Sequence, residues 1–309
     1  MKILLTGSTG MVGRNLLEHP HAVKFQWLTP SHAELDLSVF SSVSDYIGVE
    51  RPDAIVHAAG KVGGIHANMR EPVRFLIDNL DMGRNVLLAA AQHSIPRLIN
   101  LASSCIYPRN RQDALREEDI LTGELEPTNE GYALAKIAVA RLAEYISRER
   151  PELCYRSLIP CNLYGRYDNF DPIRSHLIPA IIHKTHQAKV QGIDEIEIWG
   201  DGLARREFLY AQDLAGAVLA AVENADSLPN MLNIGLGVDY TINEYYQAAA
   251  EVIGFTGSFR HDLTKPVGMS KKLTSIEKAK NWGWLPTTTL KTGLEATYEF
   301  YIKEIGKNG

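Results

Sequence analysis

Residues 1–17 read MKILLTGSTGMVGRNLL: a short apolar run, a glycine-rich turn, and the opening of a helical pattern. Gly7, Gly10 and Gly13 are spaced G-x-x-G-x-x-G between the first strand and the first helix. Glycine lets a backbone turn tightly and approach a pyrophosphate, and the helix start offers free N–H groups and the positive end of a dipole. Tight strand-to-helix turns also use glycine, so the position at the head of a strand–helix series is what favours a dinucleotide. The expected cofactor-binding residues are Gly7, Thr9, Gly10, Met11 and Gly13.

Downstream, the apolar runs KILL, DAIVHAA, RLINLAS and YRSLIP alternate with helical-period stretches at 72–93 and 129–148. That rhythm predicts an α/β fold, a Rossmann-type doubly wound parallel sheet. After NLYG (162–165) it breaks into the turn-rich RYDNFDPIRSH, a helix, EIEIWGDG and RREFLY, which predicts a smaller C-terminal substrate-binding α/β lobe. The run MLNIG (231–235) reads as a strand returning to the first part. The expected division is therefore interleaved: 1–165 with about 206–238 for the dinucleotide, and 166–205 with 239–309 for the substrate.

The chain has 309 residues, 45% hydrophobic and 22% charged, with a net charge of −5, so a large core is expected and disorder is not. Its Lys and Arg are scattered, which gives no footprint for nucleic acid or an anionic membrane. Three cysteines (Cys105, Cys154, Cys161) make no disulfide framework. No stretch approaches the ~20 apolar residues that span a bilayer, and no signal-peptide pattern opens the chain, so a cytoplasmic location is expected. His183 and His186 lack a third ligand, and no metal is expected.

NEGYALAKIAVARLAEY places Tyr132 and Lys136 four apart on one helix face. The preceding strand, RLINLAS, ends at Ser103, which brings that serine to the carboxyl edge beside the cofactor. A cation near a phenol lowers its pKa, which would let Tyr132 exchange a proton with a sugar hydroxyl or ketone while Ser103 holds the same oxygen. Lys136 counts on both the catalytic and the cofactor side. No acid follows the second strand, FQWL, where NAD enzymes place one for the ribose; Thr29, Ser31, His32 and Arg14 stand nearby instead. This favours NADP(H) and leaves NAD(H) open.

Together these residues resemble the extended short-chain dehydrogenase/reductases that act on nucleotide sugars. The phrases KVGGIHAN (61–68), SSCIYP (103–108), LEPTNEGYALAK (125–136), NLYGRYDNF (162–170), SHLIPA (175–180) and RREFLY (205–210) are similar to those of the GDP-L-fucose synthase family, and they run in order through about two-thirds of the chain. The resemblance implies a bifunctional 3,5-epimerase and NADPH-dependent 4-reductase that converts GDP-4-keto-6-deoxy-D-mannose to GDP-L-fucose. It assigns Cys105 as the base and His176 as the acid of epimerisation. Lone cysteines in apolar strands are usually small buried hydrophobes, the reading given to Cys154 and Cys161. Cys105 is active as a thiolate only if nearby positive charge lowers its pKa.

The same resemblance points to Asn162, Lys184, Trp199, Arg206 and Lys272 for the GDP-sugar, and to a homodimer through the helices at 72–93 and around Tyr132. Two departures stand out. GSTG, with Thr9, replaces a common GHRG, and KPVG, with Val267, replaces KPDG. The second leaves a dideoxy or heptose GDP-sugar open, and two further readings also stay open: one activity only, or a non-catalytic dinucleotide-binding sensor.

Overall fold

The computed structural model describes residues 1–171, 175–265 and 269–305; Val267 lies outside them. The chain runs β1 Lys2–Thr6, α1 Met11–Leu17, β2 Gln26–Leu28, α2 Phe40–Glu50, β3 Ala54–His57, α3 Ile65–Arg70, α4 Pro72–Gln92, β4 Arg97–Leu101, α5 Glu130–Glu149 and β5 Cys154–Pro160. It continues through β6 Asn162–Tyr164, α6 Leu177–Gln191, β7 Glu195–Trp199, β8 Arg205–Arg206, β9 Phe208–Tyr210, α7 Ala211–Glu223 and β10 Met231–Ile234. The last elements are β11 Tyr240–Thr241, α8 Ile242–Ile253, β12 Ser258–Asp262, β13 Lys271–Lys272, α9 Glu277–Trp282 and α10 Leu290–Ile305.

Six strands form one sheet in the order β10-β5-β4-β3-β1-β2, with every neighbouring pair parallel. The strands are continuous apolar runs because helices cover both faces. Ile3 and Leu5 face a cluster with Leu214, Val218 and Val222 of α7, whereas Leu4 faces Val43 and Ile47 of α2 and Val86 and Leu87 of α4. That alternation is the period of two a strand imposes. From β1 the chain passes to β2 on one side and later to β3 on the other, so the sheet has its switch point beside β1, where ligands bind outside the carboxyl ends.

A second apolar cluster gathers Tyr164, Ile178, Ile181, Ile198, Phe208, Tyr245, Ile253 and Tyr301 from β6, α6, β7, β9, α8 and α10. Helix α8 starts with a reciprocal cap: Thr241 Oγ1 accepts from Glu244 N at 3.1 Å, and Thr241 N donates to the Glu244 carboxylate at 2.6 Å. Gly254, at φ 75°, ends it. Among the described residues no helix is long and apolar enough to cross a membrane.

Candidate active site

A cavity of about 1040 Å³ runs over the carboxyl edge of the sheet, from the glycine loop to Lys272. The glycine loop shapes one end by close backbone contact. Gly7 has φ 74°, and a Cβ there would stand 2.7 Å from Ala59 N. A Cβ at Gly13 would collide with Gly7 O and the Ser8 backbone, so both glycines are steric requirements. Thr9, Gly10 and Met11 line the same end, a cradle that fits a dinucleotide phosphate. Beyond it stand Ser31 and His32, together with Asp36, which the sequence reading passed over. Arg14 instead lays its guanidinium 4.9 Å from the Tyr167 ring centroid and lines a separate, smaller cavity.

Ser103, Cys105, Tyr132, Lys136 and His176 all line the large cavity. Ser103 follows β4 in extended conformation and caps the turn Ser104–Ile106, its Oγ accepting from Cys105 N at 3.4 Å. Tyr107 anchors that turn from below, donating from its hydroxyl to Asn233 Oδ1 at 2.6 Å. Cys105 is thereby held at the cavity floor with 6% exposure. Lys136 Nζ donates to Leu101 O at 2.8 Å and lies 5.8 Å from the Tyr132 ring centroid. Burial lowers Lys136 to about 8.

The expected lowering of the phenol is overturned. Burial pushes Tyr132 well above its ordinary value, the Cys105 sulfur adds to this, and Ser103 opposes both. The ammonium is committed to a carbonyl, and desolvation outweighs it. Cys105 behaves alike: burial raises its pKa, while Lys272, Ser103 and Lys136 pull it down. The positive charges the thiol requires are present, and burial exceeds them. His176, the residue just before α6, is also lowered by burial.

Among the substrate candidates, Asn162 and Lys272 line the cavity. Lys272 pairs in register with Arg206 across β13 and β8, which sets two cations side by side. Arg206 stands outside the lining, with Nη1 donating to Arg205 O at 2.8 Å. Lys184 also lies outside, its Nζ donating to Glu197 O. Trp199 is 54% exposed beside Lys265, whose Nζ is 5.6 Å from its centroid. The histidines weighed as metal ligands pair with α10 instead, His183 with the Tyr301 hydroxyl at 2.9 Å and His186 with that of Tyr298 at 3.0 Å. Among the described residues no three His, Cys, Asp or Glu converge as a metal set would.

The sequence reading also missed Glu207. Its Oε1 accepts from Gly237 N at 2.8 Å, and its Oε2 from Thr274 N at 2.8 Å and Thr274 Oγ1 at 2.7 Å. Its carbonyl accepts from Asn162 Nδ2 at 3.0 Å. One buried residue thus joins, through its carboxylate, the segment after β8 to the segment after β13 and, through its backbone carbonyl, a cavity residue. An acid inside the apolar run EFLY was its only signal in the sequence.

Residues 3–235 match the NAD dependent epimerase/dehydratase family. A GDP-L-colitose synthase of Yersinia pseudotuberculosis is 50% identical over 98% of this chain and 99% of its own. A GDP-L-fucose synthase of Azorhizobium caulinodans is 47% identical over 97% and 96%. The solved structure of a GDP-mannoheptose C4 reductase from Campylobacter jejuni with NADP bound superposes with a TM-score of 0.90 at 27% identity, over 97% of this chain and 98% of that one. A glycine cradle, a Ser–Tyr–Lys set at a sheet edge and full-length likeness to these enzymes converge on one conclusion: the chain belongs to the NAD dependent epimerase/dehydratase family, as a nicotinamide-dinucleotide-dependent GDP-sugar epimerase/reductase of the GDP-L-fucose synthase type.

Proposed function

We propose that the chain inverts C3 and C5 of GDP-4-keto-6-deoxy-D-mannose and then reduces C4 with NADPH, giving GDP-L-fucose. The observation that carries this reading is that Cys105 and His176 share one cavity with Ser103, Tyr132 and Lys136. Protons on C3 and C5 are acidic because each carbon neighbours the C4 carbonyl. Cys105, as the thiolate, takes such a proton, and the electron pair moves onto the carbonyl oxygen. Ser103 and Tyr132 donate hydrogen bonds to that oxygen and steady the enolate. His176 returns a proton to the opposite face; its lowered pKa leaves less imidazolium at neutral pH but makes that imidazolium the stronger acid.

For reduction, Tyr132 gives its proton to the C4 oxygen. A phenol raised by burial is fully protonated at neutral pH, as a donor must be. Gly7, Thr9, Gly10, Met11, Gly13 and Lys136 would hold NADP(H), which when bound supplies the hydride for C4. The NADP-bound neighbour supports NADP(H) over NAD(H). Asn162 and Lys272 grip the GDP-sugar from the cavity, with Arg206, Lys184 and Trp199 at its margin. The substrate lobe comprises 166–205 and 239–309. Exposed Val73, Ile77 and Leu88 on α4, and Leu134 and Tyr145 on α5, form the face of a homodimer.

The 50% identity to a GDP-L-colitose synthase favours a second reading, in which the substrate is a dideoxy GDP-4-keto sugar. One experiment separates the two. GDP-4-keto-6-deoxy-D-mannose is incubated in D2O with and without NADPH, deuterium at C3 and C5 is followed by NMR, and nicotinamide absorbance is recorded. Exchange at both carbons with NADPH oxidation to GDP-L-fucose is expected. NADPH oxidation without exchange at C3 refutes the double epimerisation.

A further inference from the structure

Asn233, on β10, is fully buried and spends its polar groups on three other segments of the chain. Its Oδ1 accepts from the Tyr107 hydroxyl at 2.6 Å. Its Nδ2 donates to Leu115 O at 3.0 Å and to Ser275 O at 3.1 Å, and its N donates to Glu117 Oε1 at 2.8 Å. Turning the amide over would aim its oxygen at two carbonyl oxygens, so the side chain has one orientation. Burial holds the Tyr107 phenol above its ordinary value, which keeps it a donor. Backbone bonds extend the network: Leu115 N donates to Leu273 O and Ser275 N to Leu115 O, each at 2.8 Å. Cys105, Tyr107, Leu115 and Met231 share one apolar cluster, so the Cys105 turn and β10 are packed together as well as bonded.

One side chain therefore fixes two pieces of chain at once: the turn that carries Cys105, and the segment that leaves β13 after Lys272. Cys105 and Lys272 both line the cavity. A thiolate beside an ammonium is stabilised by an attraction that weakens with distance. Burial opposes ionisation of Cys105 most strongly, and Lys272 is the largest influence in its favour, ahead of Ser103 and Lys136. Tyr132 also feels the sulfur, His176 lines the same cavity, and Arg206 stands beside Lys272 in register. Lys136 is tied to Leu101 O on β4, whereas Lys272 lies on the segment that Asn233 holds. We propose that Asn233 is a positioning residue for epimerisation: by holding the Cys105 turn and the Lys272 segment together, it sets the distance between thiol and ammonium and hence the pH at which Cys105 acts as a base. Its effect on turnover rests on the reading of Cys105 as that base.

The test alkylates the full-length protein with iodoacetamide across a pH series, with modification of Cys105 resolved by peptide mass from that of Cys154 and Cys161. Tyr107→Phe keeps the ring in its apolar cluster and removes only the donor to Asn233. Its alkylation midpoint should rise by ~0.5 on the pH scale, the effect of drawing two opposite charges ~1 Å further apart. Asn233→Leu should raise it more. In Lys272→Met, adding Tyr107→Phe should change the midpoint little, because the partner charge is gone. At a fixed pH below the midpoint, deuterium uptake at C3 and C5 of GDP-4-keto-6-deoxy-D-mannose should fall ~3-fold in Tyr107→Phe, with NADPH affinity by nicotinamide fluorescence unchanged. Should Asn233→Leu fail to fold, Tyr107→Phe alone and in Lys272→Met carries the comparison. An unchanged midpoint in Tyr107→Phe, or the same rise with and without Lys272, would overturn the proposal. So would a Cys105 that reacts at no pH, since a base open to the sugar is open to the reagent. Midpoints that move as expected in a protein that exchanges no deuterium leave the spacing role standing and sink the assignment of Cys105 as base.

Discussion

The two sets of candidate site residues are held differently. On the sheet side, Ser103, Cys105, Tyr132 and Lys136 come from one strand end and one helix, and Lys136 is already bonded to the strand that carries Ser103. The candidate cations of the proposed substrate set come from three separate elements; Lys272 lines the cavity, while Lys184 and Arg206 lie outside its lining and spend donors on nearby carbonyls, Lys184 on Glu197 and Arg206 on Arg205. The proposed catalytic set is placed by a single packing unit, whereas the proposed substrate-binding set depends on how short strands are clamped. Mutations on the first should therefore strike kcat, and on the second KM.

The sharpest way to break this contrast is Tyr132→Phe, which removes the proton donor while keeping the ring against Phe75; kcat for NADPH oxidation should fall ~10²–10⁴-fold. A fall in sugar affinity alone would erase the distinction. Next comes Cys105→Ser. Deuterium uptake at C3 and C5 should fall ~10²-fold or more, while NADPH binding is retained. Removing the ammonium in Lys272→Met takes away the largest charge that lowers the thiol, so the pH at which exchange reaches half its maximum should move upward.

Behind the proposed substrate-binding set, Glu207→Ala leaves two N–H groups and a hydroxyl without their acceptor. It should cost ~2–4 kcal/mol in denaturant unfolding and raise the sugar KM ~10-fold with a smaller change in kcat. A kcat loss that dominates would mean the clamp serves the chemistry directly. The smallest effect concerns pH. Lys136 is lowered from 10.5 to about 8, so its positive charge is lost as pH rises through that value. NADPH affinity, measured by fluorescence titration, should weaken by less than ~10-fold across this range, and Lys136→Met should flatten the profile.

What was legible in the sequence divides along the same line. The glycine loop, and Tyr132 with Lys136, rest on spacing within one turn or one helix, which a sequence displays directly. Glu207 acts by closing contacts with residues that folding alone brings near, such as Thr274, 67 positions away. Lys184 and Trp199 show the converse: residue type announces a charge or a ring, but not where it points. The phenol's pKa direction differs from the one expected because a neighbouring cation is visible in a helix pattern and the depth of burial is not.

The placement of β10 has a consequence for synthesis. This strand completes the sheet against β5, with Met231 beside Ser157 and Ile234 beside Pro160, after the chain has already contributed α6 and β7 to the second cluster. A nascent chain that has left the ribosome only as far as β5 thus holds that strand with one edge unpaired until more than seventy further residues emerge. During that interval the exposed edge is a pairing template for other chains. Truncations that end before Met231 should accumulate as aggregates, while those that end after Ile234 carry the full set of strands of the six-stranded sheet.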